Sequence, residues 1–189
     1  MSGFETFEVP NFLLQKGGTL PTARLAYATR GTLNTARDNA VLVPSWYTGT
    51  HDETETFMLG EHRALDPSKY FIILTNLLAN GLSSSPSNSS APVERGRFPR
   101  VTIHDNVRLQ HQLITEKFGI ERLRLVTGFS MGACQAFQWA VQFPDMVRAA
   151  CPIAGSARTG NFNKVFLLPC GARSSSTPFT PTASTTGRR

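Results

Sequence analysis

Residues 123–140 read Leu123-Arg-Leu-Val-Thr-Gly128-Phe-Ser130-Met-Gly132-Ala-Cys-Gln-Ala-Phe-Gln-Trp139-Ala140. Leu123 to Val126 is a short apolar run with the look of a buried strand, and from Met131 the pattern turns helical. At the junction, Gly128-Phe-Ser-Met-Gly132 fits G-x-S-x-G, the spacing of a nucleophile elbow. The spacing has a steric reason. The serine must sit on a strained turn, and side chains at Gly128 or Gly132 would collide with the flanking strand and helix. The helix that follows aims its N-terminus at Ser130, where backbone dipoles favour a developing oxyanion. Five residues of pattern arise by chance; a strand before them and a helix after them are the context that gives them meaning.

Working outward, Phe12 to Leu20 predicts a hairpin turning at Gly17-Gly18, and Arg24 to Thr29 a strand. Ala40-Val-Leu-Val-Pro44 predicts a short buried strand, Ser45 to Asp52 a loop, and Glu53 to His62 a short helix. Tyr70 to Leu74 is another continuous apolar strand. Apolar strands of this kind, separated by helices, imply a parallel sheet covered on both faces. Leu82 to Pro92 is rich in serine and reads as a low-complexity linker or a functional loop. Thr102 to Phe118 predicts a helix, with Ile103, Val107, Ile114 and Phe118 near one face and Gly119 as its stop. The elbow helix should run from Met131 to Phe143 and end at Pro144, with a further strand from Ala149 to Ile153.

Composition narrows the function classes. At 189 residues the chain can build one domain with a sizeable core. The net charge of +6 hints at a nucleic-acid binder, but the charge is unevenly placed. Up to Ser156 there are 14 Lys and Arg against 13 Asp and Glu; from Ala157 onward there are five basic residues and no acid. The basicity belongs to the tail, and the reading is of no nucleic-acid partner. Cys134, Cys151 and Cys170 form neither a disulfide framework nor a metal knuckle, and Cys134 and Cys151 are expected to be small core residues. No secretion-signal pattern and no run of eighteen apolar residues occurs, so the expectation is a soluble, cytoplasmic protein without a membrane partner.

Several motifs taken together resemble the homoserine O-acetyltransferase-like group of α/β-hydrolases. They are Phe129-Ser-Met-Gly-x-x-Gln135, Trp139-Ala, Phe143-Pro-Asp-x-Val147 and Pro152-Ile-Ala. Upstream lie Leu65-Asp-Pro-x-x-Tyr-Phe-Ile-Ile73, Gly81 with Ser84-Ser-Pro86, Phe98-Pro-x-Val-Thr-Ile-x-Asp105 and Phe118-Gly-Ile-Glu-Arg-Leu123. The set covers roughly Asn39 to Phe166. The resemblance implies an α/β-hydrolase fold, a mostly parallel sheet with helices on both faces, present in its N-terminal portion. It implies a serine acyl-transfer enzyme that moves an acyl group from acetyl-CoA or an ester to a hydroxyl acceptor or water. Its partners would be a small-molecule acyl donor and acceptor, with no permanently bound cofactor and no metal. It assigns Ser130 as nucleophile, flanked by the elbow glycines Gly128 and Gly132, and the Met131 backbone N–H as one oxyanion donor. The second donor, from the loop Tyr47-Thr48-Gly49, would be the Tyr47 backbone N–H. Two departures leave room for a hydrolase relative: Ala133 stands where the transferases usually have a second glycine, and the loop reads Ser-Trp-Tyr where they have His-Ala-Leu; the alternatives are a generic α/β-hydrolase esterase and a non-catalytic remnant.

The remaining candidates read as structural. His104 and His111 lie seven apart on the Thr102–Phe118 helix without a third metal ligand at suitable spacing, and are expected on a solvated or hydrogen-bonded face. His51 lies in the loop before the first helix and is expected at the surface; Lys69 reads as a surface charge and Asp145 as the start of a turn. All four histidines precede Ser130, and Asp145 is the only acid after it. The chain order of such triads is serine, acid, histidine, so the expectation is a truncated chain that lacks the acid and the base. The division expected is a hydrolase portion over 1–167 and a disordered or out-of-frame tail over 168–189.

Overall fold

The computed structural model describes residues 3–161. The tail expected over 168–189 lies outside the described residues.

The hairpin forms as the glycine pair requires. Strand β1 (Glu5–Leu13) and strand β2 (Thr19–Arg30) pair antiparallel, and Gly17 and Gly18 both take positive φ in the turn. β3 (Ala40–Pro44) and β4 (Phe71–Thr75) are buried along their whole length, which is why they read as unbroken apolar runs. β5 (Leu125–Phe129) carries the elbow and β6 (Ala150–Ile153) follows it. The six strands lie in the order β1-β2-β4-β3-β5-β6. β2 meets β4 antiparallel, whereas β3 pairs parallel with both β4 and β5, and β5 with β6.

Among the described residues three α-helices cover this sheet: α1 (His51–Met58), α2 (Ile103–Gln112) and α3 (Met131–Gln142). Alternation along β3 sends its side chains to two separate cores. Leu42 joins Leu25, Tyr27, Ile73 and Val126 under Val107, Leu113 and Trp139 of the α2 and α3 side. Val41 and Val43 join Ile72 and Leu74 under Leu59 and Leu65, next to the end of α1. The sheet is therefore mostly parallel and covered on both faces, as its apolar strands imply.

Three local readings need correction. α1 starts at His51, two residues before the expected start, because Thr50 and Glu53 close a reciprocal capping box. α2 gives way to a π-helical turn over Leu113–Lys117 before Gly119, at φ 59°, ends it. The serine-rich segment is a loop, not a linker, and Ser83, Ser84 and Ser85 within it are buried. Ser84 pairs with Arg24 through both its amide and its Oγ, and Ser83 Oγ accepts the Ala26 N–H. These serines satisfy the backbone of β2 beyond the point where β4 ends.

Candidate active site

Ser130 stands between the last residue of β5 and the first of α3 with φ 55° and ψ −113°. Few side-chain-bearing residues adopt that conformation, and it persists only where the surroundings enforce it. Here they do. The Ser130 N–H donates to the Ile153 carbonyl at 2.9 Å, and the Ser130 carbonyl accepts from Ala133 and Cys134 in the first turn of α3. A Cβ at Gly128 would come within 2.6 Å of the Gly132 carbonyl carbon, and one at Gly132 would overlap the Pro44 carbonyl oxygen. The two glycines thus let strand, turn and helix close on one another and let α3 press against the end of β3, as the spacing anticipates. Gly155, in the loop after β6, does the same job unannounced: a Cβ there would lie 2.9 Å from the Ser130 carbonyl oxygen. Its only sequence signal is a glycine just past a short strand.

The loop after β3 is a tight turn. The Gly49 N–H donates to the Trp46 carbonyl at 3.1 Å, placing Tyr47 and Thr48 at its two central positions. The Trp46 ring lies over Gly49, where a Cβ would meet it. The Tyr47 side chain is 57% exposed, and its backbone N–H has no protein partner among the described residues. The Met131 N–H is the first of α3 and can have no partner within the helix. Tyr47 and Met131 line one cleft of about 240 Å³, together with Leu77, Asn80, Ile103 and Asn106. Tyr47 of the loop and Met131 of the elbow helix therefore line the same cavity, whose lining does not include Ser130. Beside Ser130, the rings of Trp46, Phe57 and Phe129 form an edge-to-face triplet with centroids 5.5 to 6.0 Å apart.

The histidines depart from expectation. His51 is a buried residue, 2% exposed, not a surface one. Its N–H donates to Asn76 Oδ1 at 3.0 Å, its Nδ1 lies 3.2 Å from Asn76 Nδ2, and its ring meets Phe4 edge-on. Asn76 also donates to the Ala26 carbonyl, so it ties the end of β4 to β2 and to the start of α1. His111 is half-buried, and its ring stacks on Phe143 at 4.0 Å. Burial holds its pKa below the usual histidine value, and Glu116 opposes this only in part. His104 Nδ1 is buried without a hydrogen-bond partner among the described residues. Cys134 is half-buried and Cys151 exposed, so neither is the core residue its apolar neighbours suggested. Cys151 sits on β6, which in the described residues has a sheet partner on one side only. Lys69 is a surface charge 3.8 Å from Asp66, and Asp145 is the middle residue of a 3₁₀ turn over Pro144–Met146 that Pro144 opens.

Strand order and elbow geometry define a class, and the chain belongs to it. The family model described as the alpha/beta hydrolase fold matches residues 41–166. The chain is 48% identical over 163 residues to the ethyl acetate hydrolase of Pseudomonas veronii, covering 86% of this chain and 47% of that protein. It is 41% identical over 153 residues to the homoserine O-acetyltransferase of Trichormus variabilis, covering 78% of this chain and 42% of that protein. Among solved structures, the acetyl esterase MekB superposes with a TM-score of 0.87 at 46% identity, over 89% of this chain and 49% of that one. The chain thus spans about half the length of the curated relatives it matches. Homoserine O-acetyltransferases are among its relatives, as the motifs suggested, but identity to the ethyl acetate hydrolase is higher. Among the described residues no helix is long and apolar enough to cross a membrane.

Proposed function

We propose that this chain is the nucleophile-bearing half of a serine esterase that hydrolyses acetyl esters of small alcohols. The observation that carries the reading is the backbone of Ser130, held at φ 55° and ψ −113° at the N-terminus of α3. In this reading Ser130 Oγ attacks the acetyl carbonyl as its proton passes to a general base. The oxyanion takes hydrogen bonds from the N–H groups of Met131 and Tyr47, two residues that line one cleft. Each such donor contributes on the order of 10²–10³ in rate. The tetrahedral intermediate then expels the alcohol, and water releases acetate from the acetyl-serine.

The rings of Trp46, Phe57 and Phe129 bound the acyl group on the side next to Ser130 and favour a short chain. Water is the acceptor preferred over a second hydroxyl compound, for two reasons. Ala133 and the Ser45-Trp-Tyr loop depart from the transferase pattern, and identity to an ethyl acetate hydrolase exceeds that to a transferase. Acetyl-CoA as donor belongs to the alternative, transferase reading. The base and its acid are assigned to a part of the whole protein outside this half-length match, because no histidine follows Ser130 in these 189 residues.

The test is covalent labelling with a fluorophosphonate followed by digestion and mass spectrometry. In the whole protein, base and acid included, the adduct is expected on the peptide that carries Ser130 and absent from Ser130→Ala. An adduct on a peptide without Ser130 overturns the assignment. Ester and acetyl-CoA donors compared in the same assay separate the hydrolase from the transferase.

A further inference from the structure

Behind the cleft runs a chain of three buried side chains. Trp139 Nε1–H on α3 donates to Gln110 Oε1 on α2 at 2.8 Å. Gln110 Nε2 donates to Gln135 Oε1 at 2.7 Å, and Gln135 Nε2 donates to the Ser45 carbonyl at 3.0 Å. Trp139, Gln110, Gln135 and Ser45 are all fully buried. Two glutamines placed without water in a core are costly unless every group is bonded. Here the amide orientations are set by the ends of the chain, since an indole N–H can only donate and a carbonyl can only accept. The chain therefore delivers an N–H to one place, the Ser45 carbonyl.

That place matters because of what flanks it. Ser45 precedes Trp46 and Tyr47, the turn that presents one oxyanion donor; its own N–H is bonded to the Thr75 carbonyl. Gln135 sits on α3 four residues after Met131, whose N–H is the other donor. One side chain thus couples the elbow helix to the oxyanion loop. We infer that Gln135 is a positioning residue that sets the distance between the Tyr47 and Met131 N–H groups. The inference rests on the oxyanion role proposed above for those two groups. Gln135 touches no substrate; it acts through the Ser45 carbonyl, and Gln110 and Trp139 lock its rotamer.

Two variants test it on the 189-residue chain. Gln135→Met keeps the volume and removes the donor. Gln135→Glu keeps an acceptor for Gln110 but turns an ionised oxygen on the Ser45 carbonyl. The first readout is amide exchange at Ser45 and Gly49, with Ile73 in β4 as an internal control. In both variants protection at Ser45 and Gly49 is expected to fall at least about 10-fold while Ile73 is unmoved, because only the loop tether is lost. In Gln135→Glu, but not Gln135→Met, that protection returns as the pH falls, once the protonated carboxyl donates to the Ser45 carbonyl again. The second readout is acetylation of Ser130 by p-nitrophenyl acetate, followed as mass gain. The maximal acetylation rate is expected to drop on the order of 10- to 100-fold with half-saturation little changed, the mark of a misplaced donor. Wild-type protection at Ser45 and Gly49 in both variants, or wild-type acetylation despite a loosened loop, overturns the inference. If the parent chain takes no acetyl group at Ser130, it is the oxyanion role of the Tyr47 and Met131 N–H groups in this half that fails, and loop exchange with its pH-dependent recovery decides the role of Gln135 alone.

Discussion

At Gly132 one hydrogen atom decides whether the nucleophile exists. Its missing Cβ is what allows the Pro44 carbonyl to approach, so that β3 and α3 meet behind Ser130. Gly132→Ala is expected to force the carbonyl and the helix apart, relax the Ser130 backbone, and lower Ser130 labelling by a fluorophosphonate at least about 10-fold, the loss that follows when a reacting group moves by a fraction of an ångström. The control is Ala140→Gly, nearer the end of the same helix, which costs propensity of about 1 kcal/mol without touching the elbow. Labelling of Gly132→Ala at the parent rate would show that the close approach is not needed. This part of the site was legible because glycine spacing directly records where backbone meets backbone. His51 was not, although a signal was present: Thr50 and Glu53 stand three apart, and reading them as a capping box would have drawn His51 into the helix. Its burial against Phe4 and Asn76 depends on contacts across 47 and 25 residues of sequence, which no local pattern carries.

Among elements, the strands and helices followed from their periodicity, and the serine-rich segment did not. Composition left a solvated linker and a functional loop both open, because serine is polar and common in either. The structure uses the same hydroxyls as substitutes for a strand, bonding β2 where β4 has stopped. Short side chains that bond backbone are what makes serine suitable for both roles, and only the tertiary neighbour distinguishes them. The consequence is measurable. Ser84→Ala removes the acceptor of the Arg24 N–H in a site with little access to water. An orphaned buried donor costs about 1–3 kcal/mol, so the denaturation midpoint should fall accordingly. Ser87→Ala, at an exposed position in the same segment, should leave it within about 0.5 kcal/mol. Equal effects from the two variants would mean that the segment is the loose connector its composition left open.

For the molecule as a whole, the question is how much chemistry these residues can perform together. The proposed site holds a nucleophile and two candidate oxyanion donors, but a serine at its ordinary pKa is a poor nucleophile without an adjacent base. His51 has its ring against Asn76 and Phe4, and His111 has its ring against Phe143, where burial already disfavours the charged form a base must reach. His104 and His111 lie on α2 rather than on the loops around Ser130, and His62 follows α1 in a turn. An oxyanion hole acting alone still leaves measurable catalysis, on the order of 10³–10⁴ over water in a serine protease stripped of its triad. The 189-residue chain is therefore expected to hydrolyse an activated ester such as p-nitrophenyl acetate slowly, at a rate that climbs steadily with hydroxide concentration between about pH 6 and 8 without levelling off, because with no base in place the attacking proton is lost to hydroxide. Ser130→Ala should lower even that residual rate, and His51→Ala should not lower it further than its effect on folding explains. Robust turnover with a sigmoidal rise through the histidine range would defeat this expectation. If His51→Ala then abolished it while the circular dichroism of the variant matched the parent, His51 would be the base, and its bond to Asn76 would become the orienting contact of the site.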